Sequence, residues 1–260
     1  MRLDKFLAES TIGTRKSVRT YITDGLVKVG GKVVTEPAMD IKEDADVIEY
    51  CNKVVVHRGK VYYMFHKPEG CITARRDQVN KTVFDYFQEV NMDGVFHVGR
   101  LDKDTEGLLL FTNDGEFNHR LMCPEKHVEK TYFFIALGTL DSADRKKLEQ
   151  GVSIGDGEPL TKPAKIEVLK SGLYEEFEEE MDIRKYYNIE TNCYNQPIVS
   201  GYLTISEGRK HQVKRMLKAV GCYVIYLKRI SIGGLVVDET LGKGQYRRLT
   251  ESEVEKLLLK

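Results

Sequence analysis

The apolar run GLLLFT, residues 107–112, limits the folds that this chain of 260 residues can adopt. A run of this length between turn-forming residues is typical of a buried strand. Five charged side chains lie within seven residues at its entrance: Arg100, Asp102, Lys103, Asp104 and Glu106. Because an unpaired charge is costly to bury, these side chains must be paired or take part in chemistry.

Further strand and helix patterns surround this stretch. The strand patterns are VYYMFHK, KTYFFIALG and GYLTISEG, and the helix patterns are KTVFDYF, EFNHRLM, GRKHQVKRMLKAVG and LTESEVEKLLLK. In the last of these, Thr250 and Glu253 form a capping box. Because strands and helices do not alternate strictly along the chain, we predict an α+β protein with a mixed, mainly antiparallel sheet.

The first fifty residues predict a small α/β module. Apolar residues recur there at helical spacing, Thr14 is placed to cap a second helix, and two alternating runs around the Gly-Gly pair at 30–31 predict a hairpin. The second helix carries three basic residues: Arg15, Lys16 and Arg19. We therefore expect two domains, at residues 1–52 and 58–260.

Composition excludes some classes of protein but does not identify a partner. The 40 Lys and Arg residues balance the 40 Asp and Glu residues, so the net charge indicates no partner. The five cysteines show no close pair, which favours free thiols in a reducing compartment over a disulfide or zinc framework. The charged start, MRLDKFLAES, is not expected to be a signal peptide, and no apolar run approaches ~20 residues. We therefore expect a cytoplasmic protein.

The charged stretch at 100–106 has four interpretations. A calcium loop is disfavoured because its twelfth position, which needs a bidentate Glu, is Asn113. A carboxylate pair would suit glycoside hydrolysis, but the chain has no Trp to stack on a sugar. A surface turn of mutually paired charges is the plain structural alternative. In the fourth interpretation Asp102 is a nucleophile, held ionised by Arg100 or by a lysine from another segment.

A second basic cluster lies on the predicted helix at 208–220: Arg209, Lys210, His211, Lys214, Arg215 and Lys218. A solvated helix face would account for this cluster on its own. Together with the basic residues of the first module, however, it provides two surfaces suited to phosphate groups, which indicates nucleic acid as the partner.

Four motifs in order resemble those of pseudouridine synthases: HKPEG at 66–70, GRLDKDTEGLLLFTNDG at 99–115, KTY at 130–132 and GRKHQVKRM at 208–216. MRLDKF, LTKPA at 160–164 and IGG at 232–234 are similar to the ribosomal small-subunit pseudouridine synthase A family. The first fifty residues resemble the RNA-binding module, named after a small-subunit ribosomal protein, that this family carries. The resemblance spans nearly the whole chain, and His66 departs from it where an Asn is more usual.

The resemblance implies that the protein isomerises a specific uridine of 16S ribosomal RNA to pseudouridine, with no cofactor and no metal; we expect a monomer. It implies that Asp102 is the catalytic nucleophile and that Arg100 helps to hold the flipped nucleotide. It also implies that Tyr132 stacks on the target base and that Lys214 pairs with Asp102. The residues expected to bind RNA are Arg15, Lys16, Arg19, Arg209, Lys210, His211 and Arg215.

Two alternatives stay open. One is a large-subunit rRNA pseudouridine synthase, against which LTKPA counts modestly. The other is a non-catalytic RNA-binding or ribosome-assembly factor, against which the intact set of Asp102, Tyr132 and Lys214 counts. The glutamate-rich segment at 174–182 is expected to stay in water, away from phosphate groups.

Overall fold

A computed structural model gives the structure of the protein and describes residues 1–10, 12–43, 45–56, 59–155, 157–178 and 196–258. The helices in these ranges are α1 (Leu3–Glu9), α2 (Arg15–Thr23), α3 (Gly115–Met122), α4 (Ser142–Gln150), α5 (Tyr174–Glu178), α6 (Gln212–Ala219) and α7 (Glu251–Leu258). The strands are β1 (Val27–Val29), β2 (Lys32–Val33), β3 (Ile48–Tyr50), β4 (Lys53–Val54), β5 (Tyr62–Lys67), β6 (Phe96–Val98), β7 (Glu106–Thr112), β8 (Lys130–Leu137), β9 (Lys165–Leu173), β10 (Pro197–Ile205), β11 (Tyr223–Ile232), β12 (Leu235–Val236) and β13 (Tyr246–Arg248). None of the helices described here is long and apolar enough to cross a membrane.

A small antiparallel sheet and two helices make up the N-terminal part of the structure. The strand order is β2-β1-β3-β4, and β1 and β2 form the predicted hairpin. The hydroxyl of Thr14 accepts a hydrogen bond from the backbone N–H of Ser17 at 3.1 Å, which confirms the predicted cap of α2. The helices and the sheet share one apolar core, formed by Leu3, Phe6, Leu7, Val18, Ile22, Val27, Ile41 and Ile48.

A larger sheet forms the rest of the described fold. Its order is β13-β5-β7-β11-β8-β10-β9, with β12 paired to β11 and β6 paired to β7. The β7–β11 pair is parallel, and the other strand pairs of this sheet within the described residues are antiparallel. The predicted α+β fold with a mainly antiparallel sheet is therefore confirmed. Strand β7, the apolar run of the sequence, is buried at every residue near the middle of this sheet.

Gly107 allows β7 and β11 to approach closely at the head of β7. Its φ is +102°, and a Cβ at this position would lie 2.2 Å from the carbonyl oxygen of Arg229. In the parallel pairing Arg229 stands opposite Gly107. The missing side chain thus brings Arg229 next to the charged stretch at 100–106.

Gly107→Ala is expected to lower the free energy of unfolding by at least about 3 kcal/mol, because an unfavourable φ and a backbone clash act together. Urea unfolding followed by circular dichroism measures this loss. Gly115→Ala is the control, since an added Cβ at Gly115 meets no atom within 4 Å. The control should change stability by less than about 0.5 kcal/mol. Equal effects of the two substitutions would contradict the proposed clash.

Two predicted helices are shorter in the structure. KTVFDYF contains only a 3-10 turn at Val83–Tyr86. Helix α6 begins at Gln212, because His211 has a left-handed backbone conformation with φ 52°. Arg209 and Lys210 therefore lie in the loop before α6 and not on its face.

The glutamate-rich segment is described only in part, since residues 179–182 lie outside the described residues. Glu175 and Glu176 are exposed, but Tyr174 and Phe177 of α5 are buried. The two aromatic rings belong to a core cluster with Ile135, Leu137, Ile198 and Tyr226. The first part of the segment therefore contributes to the core, contrary to the expectation that the whole segment stays in water.

Candidate active site

A cavity of about 530 Å³ lies between the loop before β7 and the start of α6. Loop 99–105, segment 208–214 and side chains from β8 and β11 line it. The lining includes seven of the predicted site residues: Arg100, Asp102, Tyr132, Arg209, Lys210, His211 and Lys214. Folding thus brings three motifs that are distant in sequence to a single concave site.

Two buried side chains hold the loop that carries Asp102. The ammonium of Lys67 donates hydrogen bonds to the carbonyl oxygens of Pro68, Lys103 and Thr105, at 3.0, 3.4 and 2.9 Å. The hydroxyl of Thr73 donates to the carbonyl oxygen of Leu101 at 2.7 Å and accepts from its N–H at 3.1 Å. Burial lowers the pKa of Lys67. The HKPEG motif therefore anchors the loop through Lys67, a role that the sequence did not indicate.

The charges at the entrance of β7 have different surroundings. Arg100 and Lys103 are exposed. Glu106 is buried, and its carboxylate accepts hydrogen bonds from the hydroxyl of Tyr226 at 2.9 Å and from the ammonium of Lys243 at 2.7 Å. Glu106 is therefore a paired charge within the fold, and Asp102 is the carboxylate of this stretch that lines the cavity.

The predicted ion pair between Lys214 and Asp102 is wrong in this structure. The ammonium of Lys214 lies 2.5 Å from Oδ2 of Asp104, and Nε2 of His211 lies 3.5 Å from Oδ1 of Asp102. Burial raises the pKa of Asp104, but the hydrogen bond and charge of Lys214 outweigh it, so that this pKa is lowered overall. His211 precedes the first residue of α6, and its imidazole occupies the position beside Asp102 that was expected for Lys214.

Two arginines that were predicted to bind RNA have partners within the protein. The guanidinium of Arg209 donates to the carbonyl oxygens of Pro159 at 2.6 Å and Leu160 at 2.9 Å. The guanidinium of Arg215 lies 2.9 Å from Oε1 of Glu158. Both side chains tie the loop before β9 to the region of α6, so these contacts already use part of their hydrogen-bonding capacity.

The other residues predicted to bind RNA are exposed: Arg15, Lys16, Arg19, Lys210 and His211. Arg19 also donates through Nε to the carboxylate of the buried Asp4 at 2.9 Å. Burial raises the pKa of Asp4, but hydrogen bonds from Arg2 and Arg19 outweigh it and lower this pKa overall. Arg15 and Lys16 are therefore the cleaner positions at which to test RNA binding by the first module.

Sequence reasoning missed a buried arginine in the cavity wall. Arg229 is 2% exposed, and its Nε donates to the carbonyl oxygen of Leu108 at 2.8 Å. Its buried Nη2 has no hydrogen-bond partner among the described residues. Arg229 stands opposite Tyr132 in the β11–β8 pairing, so the two side chains share one face of the sheet. The available signal was an arginine inside the otherwise strand-like run YVIYLKRISI, where burial of a charge requires a reason.

Lys130 is a second buried cation of the cavity wall, and its ammonium donates to the carbonyl oxygen of Val128 at 3.0 Å. Burial, together with the charge of Arg229, lowers the pKa of Lys130 to about 8. A lysine in an unfolded chain titrates near pH ~10.4. Between these two values the unfolded chain therefore binds a proton that the folded protein lacks.

Stability should therefore rise with pH through this window, and Lys130→Met should abolish the rise. We expect the wild-type protein to gain about 2 kcal/mol in free energy of unfolding, relative to Lys130→Met, between about pH 7.5 and 9.5. Chemical unfolding of both proteins at these pH values measures the difference. Parallel pH profiles would contradict a buried lysine that loses its proton in this range.

Comparison with known proteins finds relatives for both parts of the chain. Residues 61–219 match the family model described as RNA pseudouridylate synthase, and residues 1–47 match that of the S4 domain. The uncharacterized RNA pseudouridine synthase YtzG of Bacillus subtilis is 41% identical and covers 99% of this chain and 98% of its own length. Ribosomal small subunit pseudouridine synthase A is 36% identical in Haemophilus influenzae, covering 99% of this chain and 100% of its own. In Escherichia coli it is 35% identical, with 98% of each chain covered.

A crystal structure of a pseudouridylate synthase has a TM-score of 0.64 and 34% identity, and the match covers 99% of both chains. The family match spans both walls of the cavity, from the loop of Asp102 to α6. This chain is therefore a member of the RNA pseudouridylate synthase family of isomerases, with an S4 domain at its N-terminal end.

Proposed function

We propose that this protein isomerises a specific uridine of 16S ribosomal RNA to pseudouridine, with Asp102 as the nucleophile. The observation that carries the proposal is a carboxylate, Asp102, in a nucleotide-sized cavity whose wall contains cations and the aromatic ring of Tyr132. The full-length similarity to two proteins named ribosomal small subunit pseudouridine synthase A supports the choice of RNA. Action as a monomer in the cytoplasm belongs to the same proposal.

The reaction exchanges one bond between base and sugar for another. The bond between N1 of uracil and C1′ of ribose breaks, the base turns, and a bond forms between C5 and C1′. The proton that C5 loses is balanced by a proton that N1 gains, so no external group is consumed. Since the reacting atoms are hidden in stacked RNA, the nucleotide must leave the stack to reach the cavity.

Several side chains of the cavity have a proposed role in this reaction. Asp102 attacks C1′ as the bond to N1 breaks, and it leaves again as C5 bonds to C1′. The positively charged side chains of Lys214 and Arg229 lie in the wall of the same cavity. Tyr132 stacks on the flipped base. Arg100, exposed at the rim, holds the nucleotide through its phosphate or its base.

Chemical mapping of pseudouridine in the ribosomal RNA of cells that lack the protein tests this proposal. Loss of one site in 16S RNA, restored by the wild-type gene, supports it. Loss of a site in the large-subunit RNA instead would favour a large-subunit synthase. Unchanged pseudouridine in both RNAs would favour a non-catalytic RNA-binding or assembly factor.

The S4 domain is proposed to anchor the RNA, with domain boundaries at residues 1–52 and 58–260. Arg15→Gln/Lys16→Gln is expected to weaken binding to 16S RNA and to reduce the slope of log affinity against log salt by about 1 to 2, because two phosphate contacts are lost. Filter binding between low and moderate salt measures both quantities. Arg145→Gln/Lys146→Gln removes a similar exposed pair on α4 and is the control. Equal slopes in the two variants would show that the first module is not the anchor.

A further inference from the structure

Two loops beside the active-site cavity each carry an exposed apolar side chain. Val79 is 91% exposed and Leu160 is 61% exposed. Single exposed apolar residues are common on protein surfaces, so exposure alone says little. The way in which these two loops are attached to the cavity walls distinguishes Val79 and Leu160 from other exposed apolar residues.

The loop of Val79 is fixed to the wall that carries the proposed nucleophile. At one end of the loop, Thr73 exchanges two hydrogen bonds with the backbone of Leu101. At the other end, the side-chain oxygen of Asn80 accepts a hydrogen bond from the ammonium of Lys103 at 2.8 Å. Val79 directly precedes Asn80, so its place relative to the catalytic loop is set by these contacts.

The same loop is also ordered internally. Oδ1 of Asp77 accepts hydrogen bonds from the N–H groups of Val79 at 2.9 Å and Asn80 at 2.6 Å. The guanidinium of Arg75 donates to the carbonyl oxygens of Val95 and Met92, at 2.7 and 3.0 Å, and lies over the ring of Phe84. The loop is thus a braced turn that holds an apolar side chain out in water.

The loop of Leu160 is fixed to the other wall of the cavity. Arg209, which lines the cavity, donates to the carbonyl oxygens of Pro159 and Leu160. Nε of Arg215 donates to the carbonyl oxygen of Ile154 at 3.0 Å, at the start of this loop. Each wall of the cavity therefore carries one braced loop with an exposed apolar side chain.

Flipping a nucleotide out of RNA leaves its neighbours without a stacking partner. Proteins that unstack nucleic acids often insert apolar side chains between the remaining bases. We propose that Val79 and Leu160 are such wedges, which contact the bases on either side of the target uridine while it occupies the cavity. The proposal rests on the proposed function and adds to it the residues that open the RNA stack.

The charge around the two wedges fits an RNA strand. Arg76 and Lys81 are exposed on the loop of Val79, and Lys210 is exposed next to Arg209, which holds the loop of Leu160. Apolar tips flanked by cations match bases that are flanked by phosphate groups.

The test compares two synthetic RNAs that contain the uridine identified by mapping, each labelled with tritium at C5 of that uridine. In one RNA the uridine is stacked within a hairpin, and in the other it lies in an unstructured strand with the same flanking sequence. Tritium release under single-turnover conditions gives the rate for each RNA. We expect Val79→Ser and Leu160→Ser each to lower the ratio of the hairpin rate to the unstructured rate by about tenfold, because only the hairpin must be unstacked.

Matched variants distinguish the loss of a wedge from the general effect of making the protein surface more polar. Val236→Ser and Leu169→Ser replace exposed apolar residues, 56% and 49% exposed, on strands β12 and β9 and should leave the ratio unchanged. Val79→Leu keeps an apolar tip and should retain most of the ratio. A ratio that stays at the wild-type value in both Val79→Ser and Leu160→Ser would overturn the wedge proposal alone. Failure of the wild-type protein to release tritium from either RNA would overturn the proposed function, and the wedge proposal with it.

Discussion

Asp102→Asn is expected to lower the rate of uridine isomerisation by about 10⁴-fold or more, because removal of a nucleophile leaves only binding and orientation to act on the substrate. The amide keeps the shape of the side chain and deletes the charge beside His211. RNA affinity should change by less than about threefold, since phosphate contacts elsewhere supply most of the binding. Tritium release from uridine-labelled 16S RNA and filter binding measure the two effects separately.

Asp104→Asn is the matched control for this prediction. Asp104 lies two residues further along the same loop and is exposed, and its pair with Lys214 is a surface ion pair of small energetic value. We expect it to lose less than about tenfold in rate. Similar large losses in both variants would indicate that the loop as a whole, and not the carboxylate of Asp102, is required. Substantial activity in purified Asp102→Asn would show that Asp102 is not the nucleophile.

Arg229→Met is expected to lower the isomerisation rate by about 100-fold or more, the effect of removing a preorganised charged group from an active site. The guanidinium is buried in the cavity wall, opposite Tyr132, and its Nη2 has no partner among the described residues. In the proposed mechanism, we expect this donor to bind Asp102 or the flipped nucleotide. Arg229→Lys should retain more activity than Arg229→Met, because lysine keeps the positive charge even though it lacks the planar hydrogen-bonding geometry of the guanidinium group.

Lys228→Met is the control for Arg229, since adjacent residues of a strand point to opposite faces of the sheet. It should lose less than about tenfold in rate. Because Arg229 also donates to the backbone of Leu108, thermal unfolding of each variant separates a loss of catalysis from a loss of folded protein. A folded Arg229→Met protein with wild-type activity would remove Arg229 from the proposed mechanism.

Much of the local structure was predictable because its causes lie within a few residues. The cap at Thr14, the hairpin at residues 30–31 and the buried strand predicted at 107–112 depend on hydrogen bonds and periodicities of short range. The capping box at Thr250 is present as predicted, with Glu253 accepting from its N–H at 2.8 Å. The motifs also indicated the family correctly, since they depend on the order of residue types and not on their distances.

The partners of the charged side chains were decided by the tertiary structure. Helical periodicity correctly placed Lys214 on the polar side of α6, but it could not distinguish Asp102 from Asp104 as its partner. That choice depends on the left-handed turn at His211, which moves the start of the helix and places an imidazole beside Asp102.

Arg229 is a second charged residue whose surroundings could not be predicted from the sequence. In the sequence it is one more basic residue, and it becomes part of the cavity only because Gly107 lets β11 pair in parallel with β7. Sequence periodicity determines which face of a strand or helix a residue occupies. The energy of an ion pair, and the electrostatic potential at a nucleophile, change when the charges move by a few ångströms. The distances between such charges are set by how strands that are distant in sequence pack together.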